Sequence, residues 1–434
     1  MSLAAIGILG ILALLAAIFL LAIPVGLAMG VVGFLGFSYI VSFKASINMT
    51  GSAIWSTFSH YGFTVIPMFI FMGQIAYYSG VNEKLYRCAH KWVGHIRGGI
   101  AMATVLACAA FSAICGSNAA TAATMSTVAL PEMKKYRYNP KLSTGAVACG
   151  STLGVVIPPS VVLIVIGLST EQSIARLFYG GVSAGLVLAA LLMITIWGVC
   201  RIFPDWGPVA PPSSWKEKIR SLAGAYEMAV LFLLVMLGLY AGVFTPSEAG
   251  AAGAFLAVCI TALQGKLTWK VFSAAINDTL RISCMVIFIV TGAVIFGRFL
   301  AVTRVPYDIA SWVVGLPFSK AAIMLVIFGI YILGGAIMDA LALLMITIPI
   351  FFPVAVELGY DPLWFAVVIT VITTLGAVTP PVGATTYVVA AMARDVSLEA
   401  VFRGVTFFLP AYILCILLLM AFPWLITFLP AFMH

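Results

Sequence analysis

One stretch of this chain occurs twice. Pro131 to Pro159 recurs 222 positions later as Pro353 to Pro381: Pro131, Tyr138, Pro140, Gly154, Pro158 and Pro159 are answered by Pro353, Tyr360, Pro362, Gly376, Pro380 and Pro381. Asn139 meets Asp361 in the same register. Prolines and glycines scattered by chance would not hold one ungapped offset, so the chain is built on an internal duplication. Each copy lies in strongly apolar sequence. A repeated pair of Gly/Pro-interrupted hydrophobic segments is the pattern of helices broken at membrane depth, and it points to where a transporter binds.

Hydrophobic residues make up 63% of the chain and charged residues 8%, more apolar surface than a soluble fold could bury. The apolar runs last about twenty residues without alternation, as a helix crossing a hydrocarbon core of roughly 30 Å requires, and unlike the alternating segments of an outer-membrane barrel. The expected fold is all-α and polytopic. Spans are expected near 3–23, 25–43, 62–80, 141–168, 174–200, 225–244, 247–264, 283–300, 362–393 and 405–431. Met-Ser-Leu runs straight into apolar sequence with no basic flank, so a cleaved signal peptide is not expected.

Two further apolar stretches, 98–132 and 320–354, are interrupted in the middle, one by Gly116-Ser117-Asn118 and the other by Gly334-Gly335 through Asp339. Each is expected to enter the membrane, turn and leave on the same side, which is tolerated where the turn is buried in protein or lines a watery cavity. With the N-terminus outside, this layout puts 17 of the 22 Lys and Arg on inner loops and leaves Lys44, Arg176, Arg298, Arg304 and Lys320 outside. Treating either interrupted stretch as a simple span would spoil that asymmetry. The two hairpins then open to opposite sides, giving an inverted repeat.

The expected organisation has N-terminal scaffold helices in 1–80 and a first repeat in 81–200 with hairpin 98–132 and broken helix 141–168. A cytoplasmic linker follows in 201–224, then second-half scaffold helices in 225–300. A second repeat in 301–434 holds hairpin 320–354, broken helix 362–393 and the last span. Trp206 and Trp215 in the linker are expected to anchor at the interface.

A proline pair removes two backbone donors and pushes the residue before it toward an extended conformation. Carbonyls ahead of Pro158-Pro159, from about Gly154 on, are therefore left without partners, and a small cation is one candidate to bind them. The second copy repeats this at Gly376, Val378, Thr379 and Pro380-Pro381. Facing each break is a polar tip, with Ser117, Asn118, Thr121 and Thr124 on one hairpin and Gly335 and Asp339 on the other. Hydroxyls, amides, carbonyls and few carboxylates suit Na⁺. Asp339 stands between two apolar runs, where a carboxylate marks an ion or proton pathway, and it is also placed to cap the helix that follows.

Other polar residues read as structural. Thr245, Pro246 and Glu248 form the start of a helix, and Glu171, Asp395 and Glu399 lie near loop ends. His60, His90, His95 and His434 are too dispersed for a metal site, and the eight cysteines show no C-x-x-C pair and read as small core residues. The formal net charge of +8 is spread over short loops and makes no nucleic-acid stripe. No Walker loop and no hydrolytic motif is present, so an enzyme or an ATP-driven pump is not indicated, and coupling to an ion gradient remains.

Together the runs Gly116-Ser117-Asn118-Ala119-Ala120-Thr121, Leu130-Pro131-Glu132-Met133-Lys134, Ile157-Pro158-Pro159-Ser160, Gly242 to Glu248, Met338-Asp339 and Thr379-Pro380-Pro381-Val382-Gly383 resemble the large membrane subunit of the tripartite ATP-independent periplasmic (TRAP) transporters. The resemblance covers essentially the whole chain. It implies an inner-membrane, Na⁺-coupled importer of a small organic acid, working with a small four-helix membrane subunit and a periplasmic substrate-binding protein. It also implies an elevator motion of a transport domain that holds both hairpins. By the same resemblance Ser117, Asn118, Gly154 and Pro158 would surround one Na⁺ site, and Gly335, Asp339, Gly376 and Thr379 its counterpart. The substrate would sit between the tips, near Ser117, Asn118, Thr121, Pro159, Pro381 and Thr385. Many family members continue Pro-Pro-Val-Gly with Leu-Asn where this chain has Ala384-Thr385, so a hydroxyl replaces an amide there. A self-sufficient Na⁺- or H⁺-coupled anion or dicarboxylate carrier needing no binding protein, and an ion channel or an assembly scaffold, are the competing readings.

Overall fold

The computed structural model describes residues 2–315 and 317–432, and its α-helices fall into two matching sets. The first set opens with α1 (Leu3–Phe19), α2 (Val25–Ile40), α3 (Phe43–Phe58), α4 (Val65–Tyr78) and α5 (Val81–Val93). It continues with α6 (Gly99–Cys115), α7 (Asn118–Lys135), α8 (Pro140–Ser151), α9 (Leu153–Val156), α10 (Val161–Ser169) and α11 (Ile174–Ile202). The second set is α12 (Trp215–Tyr240), α13 (Pro246–Leu263), α14 (Trp269–Thr303), α15 (Val305–Val314), α16 (Lys320–Gly335) and α17 (Ala340–Glu357). It ends with α18 (Pro362–Gly376), α19 (Ala384–Met392), α20 (Leu398–Thr406), α21 (Leu409–Ala421) and α22 (Trp424–Ala431). Seven of these segments are long and apolar enough to cross a membrane, counting α8 to α10 as one and α20–α21 as one, or eight with the pair α4–α5, bent by 70°.

The duplication extends well beyond its sequence-visible core. Helices α7 and α17 are 222 residues apart at both ends, and so are their N-caps, Ser117 and Asp339. Asn139 and Asp361 cap α8 and α18, each followed by proline in the first turn, where its missing N–H removes nothing. Outside this centre α2 runs along α14, and α13 runs along α4. Each half thus supplies the helix on which the other half's equivalent leans.

Burial ranks the elements. The window of highest hydropathy in Pro140–Ser169 is 89% buried, whereas those in α12 and α13 are 33% buried. The broken helices therefore form the core, and α12 and α13 present apolar surface outward, as a lipid-facing scaffold does.

Several boundaries differ from the sequence reading. Residues 44–61, taken as a loop, hold α3, whose Lys44, Asn48 and Ser52 lower its hydropathy while Ser42 caps it. The basic stretch after Ser79 is the amphipathic helix α5, which carries His90 on a helix and not on a loop. Helix α14 begins at Trp269, fourteen residues before the expected span, and α12 begins at Trp215 inside the expected linker. The expected last span is three helices, interrupted near Phe407-Phe408 and Phe422-Pro423. Thr245 and Glu248 do form a capping box at the start of α13, and Ser214 with Glu217 forms another for α12. Trp206 packs inward, stacked on Phe203 and set edge-on against Phe407, and Trp215 is exposed. Cys284 is exposed, unlike the core role expected of it, and five of the eight free cysteines are buried. His434 lies outside the described residues.

Candidate functional site: two broken helices and their hairpins

Helix α8–α9 ends at Val156, and an extended Ile157 leads into the cis peptide Pro158-Pro159 before α10 begins at Val161. Helix α18 ends at Gly376, and the cis peptide Pro380-Pro381 and a left-handed Gly383 lead into α19. Antiparallel pairs α6–α7 and α16–α17 press their tips onto these turns. The first tip uses Gly116 in the left-handed conformation that glycine adopts without penalty. A Cβ there would stand 3.0 Å from the Pro159 carbonyl oxygen.

At the first break the structure brings Ser117, Thr121 and Gly154 together: a Cβ on Gly154 would lie 2.9 Å from both the Ser117 carbonyl oxygen and the Thr121 hydroxyl. Thr121 itself donates to the Ser117 carbonyl at 2.8 Å, and the Ser117 hydroxyl accepts from the Ala120 amide. The Asn118 amide oxygen is buried with no hydrogen-bond partner among the described residues. Likewise, among the described residues no carbonyl from Gly154 to Pro159 accepts a hydrogen bond. A buried amide oxygen and a run of buried carbonyls, all acceptors, leave a net demand for a donor or a cation.

The second break is closed differently. The Ala336 carbonyl accepts from the Val382 and Gly383 amides at 3.2 and 3.0 Å, tying the tip to the turn. Gly335 and Gly376 are in backbone contact. The Ala377 carbonyl accepts from the Thr385 amide at 3.1 Å, and the Val378 carbonyl from the Thr386 hydroxyl at 3.1 Å. The expected set of free carbonyls in the second copy is thus partly filled by the chain itself. Residue 164, at the position of Thr386, is isoleucine in the first copy, so that position offers Val156 no hydroxyl. Thr379 donates to the Leu375 carbonyl at 2.6 Å, and Thr385 is buried.

Asp339 caps α17, its carboxylate accepting from the Leu341 amide at 3.0 Å, and the residue is otherwise exposed. Pro380 and Pro381 are exposed as well, whereas Pro158 and Pro159 are buried. Thr124 is buried in α7. The two breaks lie back to back, with α9 and α10 both packed on α18.

The asymmetry continues along the flanking helices. Helix α10 and the part of α17 up to Ile350 are buried almost throughout, held against α4 and α14. Their equivalents α19 and α7 are each more open there, along one face, through Ala384, Tyr387 and Ala391 on α19 and through Ala119 and Thr127 on α7, while Pro131 and Lys134 beyond them are exposed as their equivalents Pro353 and Val356 are. That face runs from the turns to the end of the molecule that carries Lys134, Lys135, Arg137 and Arg394. Sequence patterns could locate the turns but not this inequality, which depends on how the other helices pack over them.

The sequence matches the family described as the DctM component of tripartite ATP-independent periplasmic transporters over residues 12–425. It is 33% identical over 387 residues to the C4-dicarboxylate TRAP transporter large permease protein DctM of Pseudomonas aeruginosa, spanning 89% of this chain and 88% of that one. It is 27% identical over 392 residues to the sialic acid TRAP transporter large permease protein SiaM of Vibrio cholerae, spanning 90% and 91%. The fold is similar to the crystal structure of the Alcanivorax borkumensis YdaH transporter, with TM-score 0.62, 14% identity and coverage of 88% of this chain and 90% of that chain. The protein is a transporter permease and not an enzyme, and it belongs to the DctM family of TRAP transporter large permeases.

Proposed function

We propose that this chain is the large permease of a Na⁺-coupled importer in a bacterial inner membrane. It takes up a small organic acid delivered by a periplasmic binding protein, and it works beside a small four-helix membrane subunit. The observation that carries this reading is the first break, where the buried Asn118 amide oxygen and the carbonyls from Gly154 to Pro159 have no partners among the described residues. A hard cation bound by neutral oxygens would complete them. Relatives named for C4-dicarboxylate and sialic acid transport support an acidic substrate.

In this reading each hairpin is re-entrant, and the basic end faces the cytoplasm with the N-terminus periplasmic. Ser117, Asn118, Gly154 and Pro158 hold the first cation. Asp339, Gly335, Gly376 and Thr379 hold the second, where Thr385 and Thr386 have already taken two carbonyls. Bound Na⁺ lends each tip a positive charge and fixes it on its turn. The substrate carboxylate then lies between the tips, near Thr121, Pro159, Pro381 and Thr385. The exposed faces of α7 and α19 support reading this as an inward-open arrangement. An elevator displacement of both hairpins and broken helices would cover those faces and uncover α10 and α17.

Uptake of radiolabelled carboxylates into proteoliposomes holding this chain and its small partner tests the reading. The measurement is made with and without a Na⁺ gradient and with and without the binding protein. Uptake that needs both supports it, and Na⁺-driven uptake without any binding protein replaces it with a self-sufficient carrier.

A further inference from the structure

Between α7, α8 and the segment after α19, at the basic end, lies a cavity of about 680 Å³. Ser126 lines it, is 3% exposed, and has a hydroxyl with no hydrogen-bond partner among the described residues. The other wall hydroxyls are engaged: Thr127 donates to Thr124, Ser143 to Asn139 and Thr144 to Pro140. Lys134 and Arg394 stand at the mouth, and Asp395 there is paired with Lys134. One positive charge is left over.

The duplication supplies an internal comparison. At the equivalent positions, 222 residues on, Ser126, Leu130 and Ser143 become Ile348, Phe352 and Phe365. Phe352 and Phe365 meet with ring centroids 6.1 Å apart. Lys134 becomes Val356. Where one copy sets two aromatic rings together, the other has a hollow with an unpaired hydroxyl buried in its wall and cations at its rim. A buried hydroxyl left unpaired is unfavourable unless something occupies the space beside it.

We propose that this cavity binds a small organic carboxylate, separately from the position between the two turns. Lys134 and Arg394 draw the anion to the mouth, and a turn of the Ser126 side chain brings its buried, unpaired hydroxyl to it. The pair Lys134–Asp395 is exposed on both sides, so its attraction is weak and Lys134 can turn to a new acceptor. The cavity adjoins the exposed face of α7, so an anion leaving the centre toward the basic end reaches it next. Only the class of anion rests on the transporter reading above.

The test is equilibrium binding of radiolabelled succinate to the full chain with its small partner, in phosphatidylcholine nanodiscs. The Asn118→Ala background weakens the central site. Succinate should still bind there. Ser143→Phe, which copies the second repeat, should abolish that binding, and Asp395→Asn should tighten it. The paired Lys134→Gln and Arg394→Gln substitutions, which leave the packing alone, should weaken it by at least about tenfold, about 1.4 kcal/mol. No succinate binding in the Asn118→Ala background overturns the proposal, as does binding that neither Ser143→Phe nor the two charge substitutions alter. An anionic phospholipid headgroup would share the same chemistry. Loss of succinate binding when phosphatidylglycerol is added assigns the cavity to lipid and also overturns the proposal. Wild-type uptake that ignores Na⁺ would defeat the transporter reading, whatever the cavity variants do.

Discussion

Gly335 and Gly376 stand so close that a Cβ on Gly376 would lie 2.6 Å from the Gly335 Cα and carbonyl carbon. Both neighbours are backbone, so nothing flexible can yield. Gly376→Ala must push the second tip off its turn, with overpacking of about 1–3 kcal/mol. Na⁺-dependent uptake is expected to fall by at least about tenfold while the protein still reaches the membrane. Uptake and Na⁺ affinity at wild-type level would show that the tip needs no such contact.

Asn118 separates a structural role from a binding one. Its amide oxygen is bonded to nothing among the described residues, so packing alone predicts that Asn118→Ala leaves thermal stability unchanged. Binding of Na⁺ predicts a rise in the Na⁺ concentration for half-maximal uptake, by about tenfold for the loss of one charge-assisted contact of roughly 1.5 kcal/mol. Unchanged stability together with unchanged Na⁺ dependence would remove Asn118 from the ion site.

Asp339→Asn keeps an oxygen where the Leu341 amide donates, and asparagine caps helices about as well as aspartate. Stability should therefore move by no more than about 0.5 kcal/mol, whereas Na⁺ affinity and uptake should drop. The comparison is made on purified protein by thermal unfolding and by uptake in proteoliposomes. Unaltered Na⁺ dependence would leave Asp339 as a cap only.

A stability prediction comes from the break between α8 and α9. There the buried Tyr412 hydroxyl lies 2.6 Å from the Thr152 hydroxyl and donates to the Cys149 carbonyl at 3.0 Å, and Thr152 also reaches that carbonyl at 2.7 Å. Tyr412→Phe removes one bonded hydroxyl and leaves Cys149 satisfied. The loss should be about 1 kcal/mol in unfolding, with Na⁺ affinity unmoved. A shift in Na⁺ affinity would mean that the break itself has changed shape.

The turns were legible because proline and glycine serve the backbone, so both copies keep them at Gly154 and Gly376 and at the two proline pairs. The wider duplication was hidden where side chains have diverged under one backbone role, as Ser117 and Asp339 show by capping equivalent helices with different chemistry. Helices α3 and α5 and the first third of α14 escaped a search for apolar spans, since each mixes polar residues along an exposed face. The closure of the Val378 carbonyl by Thr386 joins residues eight apart across a turn, a relation with no sequence period. The orphaned oxygens of Asn118 and Ser126 depend on what surrounds them in space.

Helix α14 runs for 35 residues without a break, about 52 Å at 1.5 Å per residue. Its first-half equivalent is jointed, with α3 and α4 meeting at the short 3-10 turn Tyr61–Thr64. A rod of that length does not fit upright in a hydrocarbon layer of roughly 30 Å, so it must lean or carry its first turns, with Lys270, Asp278 and Arg281, out on the basic side. A displacement applied to one end of such a rod arrives at the other, whereas the jointed counterpart absorbs it at the elbow. The twofold plan is therefore mechanically lopsided, with a stiff strut on one side and a hinge on the other.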